Sequence, residues 1–296
     1  MDNPAIKNDD ALSAISHGMV CRNIQLGKAS YVYYEIPNPG KPKMLLLHGM
    51  LVESHCFDQL ASYLKDNYHL YFLDLKGHGK SANGSSYDSD YTPDVIANDL
   101  LAFHQIAIQE PFYLLGYSLG GQYAIKFAGT HPDLIKGLLI VDSAPALCLK
   151  ATLTILLTLM LTPKYFASKE HASLFYEKRA PGFGEYIARY CLIQDAQGRY
   201  VLRYDKKNFA PDTMAKSAAR TKDLWEACRK ITAPTLILRC EKSFVFSNRL
   251  EKKMRESIAK STVVLMKGMK HLVGFSHPRE LAGEIQSYLQ KVSHAQ

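Results

Sequence analysis

No two cysteines of this sequence stand at C-x-x-C spacing, and no cluster of residues has metal-ligand spacing. The six cysteines, at 21, 56, 148, 191, 228 and 240, are scattered. This argues against a zinc ribbon or disulfide framework and reads as reduced core residues of a cytoplasmic protein. No metal and no cofactor is expected. There is also no run of Lys and Arg interleaved with aromatics, which argues against a nucleic-acid face. The first ten residues, MDNPAIKNDD, are polar and acidic, so no signal peptide is expected. The apolar run Leu147–Leu161 is broken by Lys150 and by threonines, and it is too short to span a bilayer. Internal repeats and low-complexity blocks are missing.

What is present is an ordinary globular composition, with 47% hydrophobic and 22% charged residues. At 296 residues the chain can hold one large α/β domain with an insertion. A net charge of +8 serves solubility, and it also attracts anionic substrates or surfaces.

The stretch Phe112–Gly121, FYLLGYSLGG, organises the rest. It starts as a buried strand and passes through Gly116-Tyr117-Ser118-Leu119-Gly120 into a helix-compatible run. Small–x–Ser–x–small between strand and helix is a nucleophile elbow. The serine is forced to positive φ, and a side chain at 116 or 120 would collide with the crossing. The turn leaves the Leu119 amide at a helix N-terminus, free to meet an anion.

In chain order, residues 1–18 show no periodicity. Val20–Leu26 and Ser30–Ile36 flank a Gly-Lys turn and predict a hairpin. Met44–Leu47 is a strand ending in His48-Gly49-Met50. Phe57–Leu64 fits a helix, and Leu70–Leu73 is a strand followed by Asp74-Leu-Lys-Gly-His-Gly-Lys-Ser81. Thr92-Pro93 supplies an N-cap and first-turn proline for a helix to about Gln109. Leu138–Val141 is the strand after the elbow helix. The alternation then stops from 143 to about 230 and resumes at Pro234, with strands at Thr235–Leu238 and Thr262–Met266. We expect a mostly parallel sheet covered by helices on both faces, formed by residues 1–142 and 231–296, with a helical cap inserted at 143–230. Leu147–Leu161 is expected to give an apolar wall to a pocket, or else to pack within the cap.

The chain resembles the α/β-hydrolases from about residue 20 to 292, in the order of its motifs as well as their content. The resemblance implies a serine hydrolase with Ser118 as nucleophile and His271 as general base. It also implies an oxyanion hole made by the backbone N–H groups of Met50 and Leu119. His48 is expected to hold the oxyanion loop, His78 to shape a turn, and His277 to start the last helix. Many relatives carry the acid in a turn after the penultimate strand, where this chain has Cys240-Glu-Lys-Ser243. Ser243 cannot carry charge. Asp142, at the end of the strand after the elbow, is therefore preferred as the acid over Glu241 and Ser243.

The function expected is acyl-enzyme hydrolysis of an ester, lactone, thioester or related small acyl substrate. Alternatives are C–C, amide or enamide hydrolysis of a small carboxylate-bearing substrate, transfer of the acyl group to an alcohol, and a catalytically silent receptor. A homodimer is compatible with the sequence.

Overall fold

The computed structural model describes residues 18–85, 90–209 and 217–293. Most of the unpatterned lead, and part of the 82–91 loop, lie outside the described residues.

The hairpin forms from β1 (Val20–Leu26) and β2 (Ala29–Ile36), paired across Gly27. β3 (Lys43–Leu47), β4 (His69–Leu73), β5 (Phe112–Tyr117), β6 (Ile135–Val141), β9 (Thr235–Cys240) and β10 (Ser261–Met266) complete an eight-stranded sheet. Its order is β1-β2-β4-β3-β5-β6-β9-β10, with every pair from β4 to β10 parallel.

The central strands are largely apolar because both faces are covered. Alternation then sorts their side chains. Met44, Leu46, Leu115, Leu139 and Leu238 join one core, while Leu45, Leu47, Leu114, Ile140 and Ile237 join the other. Each fully buried leucine contributes roughly 1.5–3 kcal/mol. The first core is closed by α1 (Asp58–Leu64) and α10 (Pro278–Ser293). The second is closed by α2 (Pro93–Phe103), α3 (Leu119–Thr130) and α7 (Ser217–Lys230). The Thr92 hydroxyl caps α2, which continues through one wide turn to Gln109.

Between β6 and α7 lie α4 (Leu149–Leu161), α5 (Lys169–Glu177) and α6 (Phe183–Tyr190). Two short strands, β7 (Leu192–Gln194) and β8 (Tyr200–Leu202), pair there as well. This hairpin departs from the purely helical insertion read from the sequence. Asp195 makes the turn by accepting the amides of Gln197 and Arg199, and Gly198 supplies a φ of 75°. α7 packs against α3 through Leu224, Trp225 and Cys228, so the elements over the strand ends finish before it. α8 (Asn248–Ser257) and α9 (Val273–Ser276) complete the chain.

Candidate active site

The parallel strands all point their carboxyl ends one way, and ligands in such sheets bind there. Ser118 follows β5 and Asp142 follows β6, while His271 lies between β10 and α9. The β5–β6 register pairs Tyr117 with Val141, which sets Ser118 and Asp142 at the same level on adjacent strands.

Ser118 holds φ 52° and ψ −115° immediately before α3. Its strain is offset by close packing: Gly120 N–H donates to the His48 carbonyl at 3.0 Å, and Ser143 Oγ donates to the Ser118 carbonyl at 2.6 Å. Leu51 and Asp142 also hold positive φ, 64° and 45°. Three strained residues at one site fit a preorganised functional centre.

His271 Nε2 lies 3.0 Å from Ser118 Oγ, and its Nδ1 lies 2.6 Å from Asp142 Oδ2. The second carboxylate oxygen of Asp142 accepts the Cys240 N–H at 3.0 Å. Asp142 is wholly buried. These bonds assign Nδ1–H as donor to the carboxylate and leave Nε2 to accept from the serine hydroxyl. Tyr117 Oη donates to the His271 carbonyl at 3.0 Å, fixing the loop that carries the imidazole.

The other sequence candidates are placed elsewhere. Glu241 accepts the Gly268 N–H at 2.7 Å, tying the turns after β9 and β10 together. Ser243 Oγ accepts the Val245 N–H at 3.1 Å. His48 is buried, with Nδ1 2.8 Å from the Gly49 carbonyl and Nε2 accepting the Leu75 N–H at 2.9 Å. Burial pushes its pKa down to about 4, so it sits neutral between the two loops it joins. Burial pushes His78 down to about 3. His277 precedes α10 and bonds Ser276.

The Asp74–Ser81 turn is a support. Asp74 accepts the amides of Ser54 and Lys80, and Ser81 Oγ donates to the Asp74 carbonyl at 2.6 Å. It pins the chain that follows Met50.

Ser118, His271, Met50 and Leu119 all line one cavity of about 490 Å³. Leu119 opens α3, so its N–H has no acceptor within the helix. The apolar wall comes from Val52, Leu147, Ile155, Leu159, Phe183 and Ile187. Of the aromatics between β6 and α7, Tyr176 and Phe183 reach the cavity, whereas Phe166 and Tyr186 are buried away from it.

Lys178, Arg179, Arg220, Lys242 and Lys270 also line the cavity, and no Asp or Glu does among the described residues. The Arg179 guanidinium stacks 4.8 Å and 4.6 Å from the rings of Phe175 and Tyr176. Its Nη1 is buried without a hydrogen-bond partner among the described residues. Sequence reading missed this set, which tertiary folding gathers from four segments. Ser143 and Tyr117 were within reach of it, since each adjoins a candidate residue.

Among the described residues, no group of His, Cys, Asp or Glu is arranged to hold a metal ion. No described helix is long and apolar enough to cross a membrane.

Comparison with known proteins identifies the family and the fold. The 2-(acetamidomethylene)succinate hydrolase of Mesorhizobium japonicum is 23% identical over 283 residues, covering 95% of this chain and 99% of the relative. A pimeloyl-[acyl-carrier protein] methyl ester esterase of Nitrosomonas europaea is 24% identical over 251 residues, covering 81% of this chain and 92% of the relative. The crystal structure of E-2-(acetamidomethylene)succinate hydrolase superposes with a TM-score of 0.80 at 23% identity, covering 92% of this chain and 99% of that one. A family model described as serine aminopeptidase, S33, matches residues 38–275. The chain belongs to that family and is a serine hydrolase of the α/β-hydrolase fold.

Proposed function

We propose that the chain hydrolyses an ester or thioester through an acyl-enzyme on Ser118. The observation that carries this reading is the Ser118–His271–Asp142 hydrogen-bond chain, 3.0 Å and 2.6 Å long, on the wall of a cavity sized for a small acyl substrate. Ser118 Oγ attacks the substrate carbonyl carbon while His271 Nε2 takes its proton. The oxyanion meets the N–H groups of Met50 and Leu119, each of which can supply ~3 kcal/mol in the transition state. The imidazolium then protonates the departing alcohol or thiol. A water, deprotonated by the same nitrogen, attacks the acyl-enzyme and releases the acid. Asp142 holds the tautomer and stabilises the imidazolium without taking its proton.

A second reading has its own observation. The five cationic side chains around the cavity, with no carboxylate among them, suit a substrate that carries an anionic group. The curated hydrolase of Mesorhizobium acts on a succinate by its name, which fits C–C, amide or enamide hydrolysis of a small carboxylate. The esterase of Nitrosomonas keeps the ester reading in front. A catalytically silent receptor is disfavoured, because its motive was the missing acid at 243 and Asp142 stands against His271.

In this reading residues 143–230 form the insertion, and its part before α7 caps the cavity. The same reading keeps the protein in the cytoplasm, from the scattered spacing of its cysteines, and gives it no nucleic-acid partner.

Fluorophosphonate labelling, followed by turnover across neutral esters, thioesters, carboxylated esters and amides, tests the proposal. Labelling at Ser118 with ester or thioester turnover supports it. A folded chain that neither labels nor turns over any of them overturns it.

A further inference from the structure

The insertion presents a helix whose surroundings do not match its sequence. Leu149, Leu153, Leu157 and Leu161 recur every four residues along α4, with Met160 beside them. At about 100° per residue these five share one face. They are 75%, 50%, 55%, 72% and 79% exposed respectively, Met160 being the last. Ile155, Thr158 and Leu159 fall on the opposite face and line the cavity of Ser118. The helix is therefore apolar on both sides. Such a helix is normally buried, yet only Ala151 of α4 is buried. No other helix or strand packs extensively along it among the described residues. The sequence allowed for a pocket wall or a helix packed inside the cap, and the structure shows a wall whose outer leucines are exposed.

Even its polar side chains are turned inward on the helix. Thr154 and Thr158 donate their hydroxyls to carbonyls one turn back, both at 2.8 Å, and Thr152 does so at 3.3 Å. Thr154 lies at the edge of the leucine stripe, and its satisfied hydroxyl needs no water partner, so the cost of placing that edge against an apolar medium falls. The charge around the stripe has one sign. From 147 to 168 the chain carries Lys150 and Lys164 and no carboxylate. Both lysines are exposed, Lys150 in the first turn of the helix and Lys164 just past its end. The chain as a whole carries +8.

We propose that the outer face of α4 docks on an anionic lipid surface. A leucine-rich face with flanking lysines is the composition that lies in the plane of a bilayer. The stripe enters the acyl boundary while Lys150 and Lys164 meet the headgroups. A helix of 13 residues is too short to span, so it rests on the surface. Docked in this way, the helix has lipid on one side and the cavity of Ser118 on the other.

The test is co-sedimentation of the full chain with phosphatidylcholine vesicles, with and without phosphatidylglycerol. The wild type is expected to bind the anionic vesicles at low salt. The double variant Leu157→Ser/Met160→Ser should bind at least about tenfold more weakly. Lys150→Glu/Lys164→Glu should lose about fivefold or more per charge on anionic vesicles. Both pairs lie outside the cavity lining, so the melting temperature and turnover of a water-soluble short ester should not change. If the serine variant melts lower, the lysine variant carries the test, because its two side chains are exposed and charged. A wild type that leaves anionic vesicles in the supernatant overturns the proposal, as does equal binding by a folded variant. A dimer in sedimentation velocity that the serine pair dissolves, without vesicle binding, assigns the face to a second copy instead.

Discussion

Asp142 Oδ2 lies 2.6 Å from His271 Nδ1, although 129 residues separate the two in the chain. The sheet brings them together. β6 pairs with β9, and the Asp142 N–H continues that ladder by donating to the Leu238 carbonyl at 2.8 Å. The carboxylate therefore starts one strand away from the usual origin of such an acid, and it still reaches the imidazole. The Cys240 N–H holds its other oxygen from the strand where that acid would otherwise sit.

Asp142→Asn is therefore expected to lower kcat by at least about a thousandfold with the fold retained, since an amide neither fixes the tautomer nor balances the imidazolium. Glu241→Gln should change kcat little, because Glu241 is engaged with the Gly268 amide. The two variants are compared by steady-state kinetics beside their melting curves. An active Asp142→Asn with a dead Glu241→Gln would reverse the assignment.

Ser118→Ala should abolish both turnover and fluorophosphonate labelling. His271→Ala should lower kcat at least about a thousandfold, equivalent to about 4 kcal/mol of barrier. The readout that separates the roles is labelling, which the alanine at 118 cannot give at any probe concentration. Labelling retained in Ser118→Ala would place the nucleophile elsewhere.

The sheet and the strand-end residues were legible because their signals are local. Four consecutive apolar residues bounded by Pro42 and Gly49 are too few for a helix and read as a short buried strand, and G-x-S-x-G constrains its own backbone. Asp142 could be preferred from its strand end and from the uncharged Ser243. What escaped was set by packing between distant segments. Arg179 lies in the turn after α5 and Arg220 in α7, and neither sequence gives any sign of a shared cavity. Likewise α7 lies inside a stretch with no strand alternation, yet its Leu224 and Trp225 join the core around α3. The β7–β8 hairpin was hidden by its brevity, since three residues per strand show no period.

Gly120→Ala tests the tightness of the elbow. A Cβ at 120 would collide with the Leu47 carbonyl oxygen and meet the His48 carbonyl oxygen at 2.6 Å, the latter being the acceptor of the Gly120 N–H. Neither partner is the end of a flexible side chain, so α3 must move off β3. The expected cost is on the order of 1–3 kcal/mol in urea unfolding, as for other overpacked sites. Activity should fall by more than stability explains, because the same shift moves the Leu119 amide. A variant of wild-type stability and activity would show that the crossing has slack.

His48 makes stability depend on acid. Its two ring nitrogens are used by a carbonyl acceptor and an amide donor, which only the neutral ring satisfies. Its folded pKa, pushed down to about 4 by burial, lies below the unfolded value of about 6.5. The unfolded state thus binds more protons in that window, and the contribution present above pH 6.5 is lost as pH falls towards 4. The slope is about 1.4 kcal/mol per pH unit. Glu53 works in the opposite direction: burial raises its carboxyl to about 8, so its effect lowers stability as pH rises from the carboxylate range towards 8. The difference between wild type and His48→Asn isolates the histidine. The variant should be less stable at pH 7 and lose less on going to pH 5. Parallel curves for the two proteins would contradict the neutral, doubly bonded ring.

Arg179→Met addresses the substrate's charge. Methionine keeps the stack on Phe175 and Tyr176 while removing the guanidinium, so packing of the insertion is preserved. A buried Nη1 without an acceptor is costly to leave unmade, and a substrate carboxylate would satisfy it with a charge-assisted hydrogen bond worth about 1.5–3 kcal/mol. The variant should therefore lose roughly 10-fold to 100-fold in kcat/KM on a carboxylated ester, chiefly through KM. On the neutral methyl ester of the same length it should stay within about twofold. Raising salt should narrow the wild-type preference for the acid, because the exposed Lys178 beside Arg179 is screened first. Equal losses on both esters would instead make Arg179 a packing residue of the wall and leave the neutral ester as the better substrate class.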